Sequence, residues 1–188
     1  MFRSSIVNII PQVDMDKKVF LEELLKLLGY ADMYFKQHEY VAFYNSGLAI
    51  SFCAIQTSQF IIAKKVYSLF GQMLLTAKRN ELALECYSRL RDLAHTDRDI
   101  ITKAFALRQM SHCFMKMEKH ENAIIALKYV LGISWTIKLT ELELSAYEGL
   151  AVAYLYLGKI EKVRYYDARV MHGMYESDKS QIYKITVS

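Results

Sequence analysis

The chain has 188 residues, 53% of them hydrophobic and 23% charged, which is enough apolar material for a sizeable core and excludes a disordered chain. Seven Gly and one Pro are too few for a turn-rich β-sandwich or barrel. Lys and Arg number 24 against 20 Asp and Glu, a formal net charge of +4 that is spread thinly and forms no concentrated basic stripe of the kind nucleic-acid binders carry.

Residues 1–16 read as a lead segment. The opening MFRSSIVNII ends its apolar run at Pro11, lacks a small-residue cleavage site and does not read as a signal peptide. Helices are predicted near 17–36, 39–54, 59–77, 80–94, 98–117, 120–133, 140–157 and 159–173, from apolar residues recurring at spacings of three and four. Thr140 with Glu143, and Thr96 with Asp99, fit capping boxes. Residues 175–188 begin polar and read as a tail, and 17–174 as a single domain.

Between Tyr40 and Ala63 there is no charged residue, a stretch long enough to span a membrane. Asn45, Gln56 and Gln59 lie inside it and would be costly in hydrocarbon. A helix-turn-helix with its turn near Gln56-Thr57 is therefore expected there, and no membrane partner.

The pattern repeats every forty residues. Tyr67, Leu107 and Tyr147 are equivalent, as are Phe70, Met110 and Leu150; the small residues beside them are Gly71, Ser111 and Ala151, followed by Leu74, Phe114 and Tyr154. The second helix of each unit offers Ala83, Ala123 and Val163, and closes on Leu90, Val130 and Val170. One step earlier, Leu27, Tyr30, Ala31, Tyr34 and Phe43 form a degraded first copy. Large and small residues on one helix face suit a close helix crossing, and stacked pairs bury a continuous core.

This succession, with Tyr87 and Leu127 at the aromatic position of the second helix, resembles the tetratricopeptide repeat over about 27–172. The longer period is similar to that of forty-residue-unit members, such as cell-polarity scaffolds and bacterial peptide-sensing regulators. The usual Pro after the second helix is absent, and the last copy has Asp167 at the aromatic position, preceded by Tyr165 and Tyr166. The resemblance implies an all-α fold: a right-handed α-solenoid of about four antiparallel helix pairs.

It also implies a function. First helices of successive repeats line a concave groove in this family. The groove positions are Asp32 and Lys36; Lys65, Ser68, Gln72 and Thr76; Arg108, Gln109, His112 and Lys116; and Glu148, Val152 and Tyr156. The middle two sets offer a polar, basic floor suited to an acidic extended segment of a protein or peptide partner. The Asn residues of the family's carboxylate clamp are missing, so chaperone-tail binding is not implied. At the far end, Tyr165, Tyr166 and Met174 are expected to stand partly outside, as an interacting surface covered by a partner or by the tail through Ile182 and Tyr183.

The implied function is a non-enzymatic interaction scaffold or adaptor within a larger complex in the cytoplasm. The run LYLGKIEKVRYYDARVMHG is similar to repeats in cytoskeletal and ciliary proteins. The alternative is a regulatory sensor that binds a short peptide and changes shape; an RNA-binding helical repeat is disfavoured by the thin charge, and a base-stacking role for Tyr147, Tyr154, Tyr156, Tyr165 and Tyr166 lacks a basic groove.

Nothing points to a reaction. The five histidines show no metal-binding spacing, and no phosphate-loop or nucleophile-elbow motif occurs. His112 and Cys113 are neighbours that diverge by about a hundred degrees on a helix. Cys53, Cys86 and Cys113 form no framework and are expected as buried apolar residues in a reducing compartment. Glu22, Glu23, Glu141 and Glu143 sit at spacings of solvated helix faces. No catalytic, cofactor or metal residue is predicted.

Overall fold

A computed structural model describes residues 15–172. Among them are eight α-helices and no strand: α1 (Met15–Lys36), α2 (Tyr40–Gln56), α3 (Phe60–Thr76), α4 (Asn80–Thr96), α5 (Ile100–Lys116), α6 (His120–Ile137), α7 (Thr140–Tyr156) and α8 (Ile160–His172). All eight expected helices are present. The predicted lead segment up to residue 14, Met174, and the tail with Ile182 and Tyr183 lie outside the described residues.

The chain divides into two compact units, one ending at Asp99 with α1–α4 and one beginning at Ile100 with α5–α8. Within each unit, every helix packs on its neighbour in the chain. The charge-free stretch is resolved as α2, a turn, and the start of α3. No helix among the described residues is long and apolar enough to cross a membrane.

What ends each of α1–α7 is a left-handed residue, repeated every twenty residues. His38, Ser58, Lys78, Arg98, Glu118, Lys138 and Gly158 all have positive φ, between 54° and 68°. At the first of these turns the His38 N–H donates to the Phe35 carbonyl at 3.1 Å and the Glu39 N–H to the Tyr34 carbonyl at 2.9 Å. This is the Schellman pair of bonds, which satisfies carbonyls that the helix end would leave orphaned. It recurs at Ser58-Gln59, Lys78-Arg79, Arg98-Asp99, Glu118-Lys119 and Gly158-Lys159. The left-handed residue reverses the chain, and the next helix starts two residues later whatever residue stands there.

That device displaces the two expected capping boxes. Thr140 is the first residue of α7, whose N-cap Leu139 makes no side-chain cap bond. Thr96 is the last residue of α4, and its hydroxyl donates to the Asp92 carbonyl at 3.0 Å. Helix α6 runs four residues beyond its expected end, to Ile137. Its extension is anchored by Ser134, which is buried and donates to the Leu131 carbonyl at 2.7 Å, and by Trp135, which donates to Glu143.

The forty-residue register describes the core well. Tyr67, Phe70, Gly71 and Leu74 are buried, as are Leu107, Met110, Ser111, Tyr147, Leu150, Ala151 and Tyr154; Phe114 is half-buried. Ala83, Leu90, Ala123 and Val130 are buried, while Val163 and Val170 are half-buried. The first copy departs from the expectation. Tyr30 is 54% exposed and Leu27 only half-buried, because α1 turns Leu24, Leu28 and Ala31 inward onto α2. Cys86 and Cys113 are buried, but Cys53 is only half-buried.

Candidate functional site

The second unit carries a cleft of about 420 Å³ between α5 and α7. Helix α5 contributes Arg108, Gln109 and His112, with His112 three residues from Gln109 and four from Arg108, so that it neighbours both. Helix α7 contributes Ser145, Glu148, Gly149 and Val152, again one face at i, i+3, i+4 and i+7. Ser111, Met115 and Leu127 complete the lining.

The floor depends on a glycine. A Cβ at position 149 would lie 2.9 Å from both methyl carbons of Leu127, so only a bare backbone lets the α6 side chain rise against α7. Leu127 is buried at 3% exposure and Met115 half-buried beside it. The floor is thus apolar, and the polar groups stand on the walls. In this unit the polar residues expected as a floor stand as walls, because helix crossing fills the bottom with core residues.

The walls are unlike. On the α5 side Arg108 Nη1 donates to Ser145 Oγ at 3.4 Å, tying the two walls together. Ser111 Oγ donates to the Arg108 carbonyl at 2.7 Å, which commits that hydroxyl to its own helix. Burial, and then the Lys116 ammonium one turn along, hold the His112 imidazole below its ordinary pKa. It is neutral at pH 7, with one nitrogen donating and one accepting. The α7 side presents the exposed carboxylate of Glu148 and the half-exposed Val152.

The predicted groove residues therefore separate. Arg108, Gln109, His112, Glu148 and Val152 come together in the cleft, with Lys116 exposed on the same helix as Arg108. Lys65, Ser68, Gln72 and Thr76 belong to α3 of the first unit; Lys65, Gln72 and Thr76 are exposed and Ser68 half-buried, and Thr76 donates to the Gln72 carbonyl at 2.9 Å. On α1, Lys36 and Asp32 pair with each other at 2.7 Å. Ser145, Gly149 and Leu127 were not foreseen; the small residues Ser145 and Gly149, four apart on α7, were the only signal available.

The tyrosines separate too. Tyr156 is 67% exposed and stacks on His120 with ring centroids 4.8 Å apart. Tyr165 is half-buried, its hydroxyl is buried without a hydrogen-bond partner, and Arg169 lies over its ring at 5.3 Å. Tyr166 is not on an outer surface: it is 1% exposed and stacked on Tyr154 at 5.6 Å. Helix α8 places position 166 inward and leaves Asp167 exposed, one residue out of step with the forty-residue register.

Glu143 is not on a solvated face but 5% exposed, accepting from Trp135 Nε1 and, at 3.4 Å, from the Tyr147 hydroxyl. Burial, and then the neighbouring Glu143 carboxylate, raise the Tyr147 phenol above its ordinary pKa. For His112 and Cys113 the expected divergence is seen: the imidazole is exposed, the thiol buried and pushed up by that burial to about 12. Among the described residues no three His, Cys, Asp or Glu side chains are grouped to hold a metal ion.

Among solved structures, the chain is similar to the crystal structure of aspartyl phosphate phosphatase F from Bacillus subtilis, at 17% identity with a TM-score of 0.62. The match covers 80% of this chain and 40% of that one, so this chain spans less than half of its neighbour's length. At that identity the likeness speaks for the fold, an all-α tetratricopeptide-like repeat of helix pairs. No family model matches the sequence. No curated protein matches it either.

Proposed function

We propose that this chain is a non-enzymatic adaptor that holds an extended segment of a partner protein in the α5–α7 cleft. One observation carries the reading: an apolar floor of Leu127 and Met115 lies between a wall of donors, Arg108, Gln109 and His112, and a wall bearing Glu148. An extended chain offers backbone amides and carbonyls to such walls and an alternating side chain to such a floor. Arg108 favours a carboxylate on the partner, because a guanidinium pairs with carboxylates through parallel N–H bonds. Lys116 adds positive charge along the same helix. The partner segment is therefore acidic, with an apolar residue beside its acid.

The fold neighbour is named an aspartyl phosphate phosphatase. In the cleft Ser111 donates to the Arg108 carbonyl, Ser145 accepts from Arg108, and Cys113 is buried and protonated, so none of the three reads as a ready nucleophile. In this proposal 17–174 is the repeat domain of a cytoplasmic complex, and the resemblance of the closing run suggests a cytoskeletal or ciliary one.

The test is fluorescence anisotropy of the full chain with labelled acidic peptides that carry one central Leu or Phe. Arg108→Glu with Lys116→Glu should weaken capture at least about tenfold, the order expected when a charge-assisted bond is replaced by like-charge repulsion. Binding that survives the double reversal would overturn the site. A free peptide that also changes the circular dichroism or the hydrodynamic radius would favour the sensor reading over the scaffold. A steep salt dependence with RNA in place of peptide would remove both.

A further inference from the structure

Helices α2 and α4 are the second and fourth helices of the first unit, forty residues apart, and turn equivalent positions inward: Phe43 and Ala83, Tyr44 and the half-buried Leu84, Gly47 and Tyr87, Ile50 and Leu90, Ala54 and Ala94. Their outer faces are opposites. Where α4 exposes Glu81, Glu85, Arg89 and Asp92, α2 exposes Val41, Asn45, Ala49 and Phe52. Glu85 and Arg89 pair at 3.0 Å on α4, as solvated helix faces do. On α2 Val41 and Phe52 are each 63% exposed. A helix that is apolar all round belongs in an interior, yet among the described residues only one face of α2 is covered.

We propose that the outer face of α2 is a self-association surface, on which a second copy of this chain packs its own α2 antiparallel. The occupant follows from charge. No charged residue stands between Tyr40 and Ala63, so α2 offers no counter-ion to a charged partner, and burying an unpaired charge is costly. A matching surface must itself be uncharged, and the same face on another copy is uncharged by construction.

The order of side-chain sizes agrees. Large residues stand at the ends, Val41 and Phe52, and smaller ones between them, Asn45 and Ala49. A two-fold axis near positions 46–47 sets Phe52 of each copy against Val41 of the other, and Ala49 against Asn45. Such an isologous contact uses each residue twice. Ala49 permits close approach of the helices, and the Asn45 amide supplies a polar bond near the axis. From Val41 to Phe52 the face runs about 16 Å at 1.5 Å per residue. That is a three-turn contact, smaller than a standard stable interface, so the dimer is reversible and concentration-dependent. The surface is on the first unit and does not rest on the cleft.

Sedimentation velocity of the full chain over a range of concentrations tests it. The weight-average mass should rise from 21.9 kDa toward twice that value. Phe52→Glu should hold the chain at the monomer mass, with unchanged helicity by circular dichroism because the position is exposed. Asn45→Cys and Ala49→Cys chains, each in a Cys53→Ser background, should form a disulfide-linked dimer with each other when mixed under mild oxidation. A wild-type mass that stays at the monomer value, or a Phe52→Glu chain that associates like wild type, overturns the proposal. So does a monomer that co-sediments with phosphatidylcholine vesicles and loses that binding on Phe52→Glu, since the face would then meet lipid.

Discussion

The two units share one turn device and one burial pattern but fill their cores differently. In the first, glycines lie under aromatic rings: a Cβ at Gly47 would come 2.5 Å from the Phe70 ring, and one at Gly71 2.8 Å from Tyr87. Charges tie the first unit from outside the core. Lys64 reaches both Asp97 and Asp99 at 2.7 Å, and burial, which alone would lower its pKa, is outweighed by those two carboxylates. In the second unit, Ser111 and Ala151 replace Gly71 at the crossing, tyrosines stack on one another, and a carboxylate, Glu143, is taken inside. A repeat therefore specifies which positions are buried and how the chain turns. It leaves open whether a position is filled by a ring over a glycine or by a hydrogen-bonded polar group.

The largest expected effect separates glycines that fit a ring from glycines that fit nothing. Phe70 is 1% exposed and stacked on Phe43 at 4.2 Å, so it cannot swing away from a methyl group at position 47. Gly47→Ala should destabilise by about 1–2 kcal/mol, the overpacking cost exceeding the gain in helix propensity. Gly132→Ala, in α6 where an added methyl group meets nothing within 4 Å, should stabilise by about 0.5–1 kcal/mol. Urea unfolding of the two variants checks the sign of each. If both stabilise, the glycine-ring packing of the first unit is wrong.

Glu143 comes next. Removing it takes this acceptor from the Trp135 N–H and the Tyr147 hydroxyl, and a lost hydrogen bond costs about 0.5–1.5 kcal/mol. Glu143→Leu should lower stability on that scale. Glu143→Gln keeps a carbonyl acceptor and should lose less than half as much. Trp135 is the single tryptophan, so its fluorescence reports the change in the second unit directly. Equal losses for Leu and Gln would mean that the carboxylate's charge, and not its bonds, holds the site.

The sequence displays what depends on helical spacing within one element. The forty-residue period, the eight helices and the outward phase of Arg108, Gln109, His112, Glu148 and Val152 all follow from residues three and four apart. It hides what depends on another helix. Leu127 enters the cleft floor only because Gly149 faces it, and the small residues four apart on α7 do not say which side chain they will meet. Tyr166 and Asp167 differ by one position, and one position is about a hundred degrees of rotation, enough to exchange core for solvent. Glu143 looked like the end of a capping box because Thr140 precedes it by three; its true partners lie on α6 and one turn along α7.

The twenty-residue spacing of the turns was hidden for a further reason, which yields the smallest effect. Left-handed backbone normally shows itself as Gly or Asn. Here the first unit uses His38, Ser58, Lys78 and Arg98, and only the second unit has a glycine, Gly158. A left-handed conformation costs an ordinary residue roughly 1–2 kcal/mol, while glycine's greater freedom when unfolded returns about 0.5–1 kcal/mol of that. Lys78→Gly should therefore stabilise by about 0.5–1 kcal/mol, raising the melting temperature by about 2–4 °C for each kcal/mol in a chain of this size. Gly158→Ala should shift it down by a similar amount. The pair of substitutions compares the same turn in two units with opposite starting residues. Equal and opposite shifts show that the Schellman bonds set the turn and the residue only adds strain. A fall on Lys78→Gly would mean that the Lys78 side chain contributes more to the first unit than its backbone strain removes.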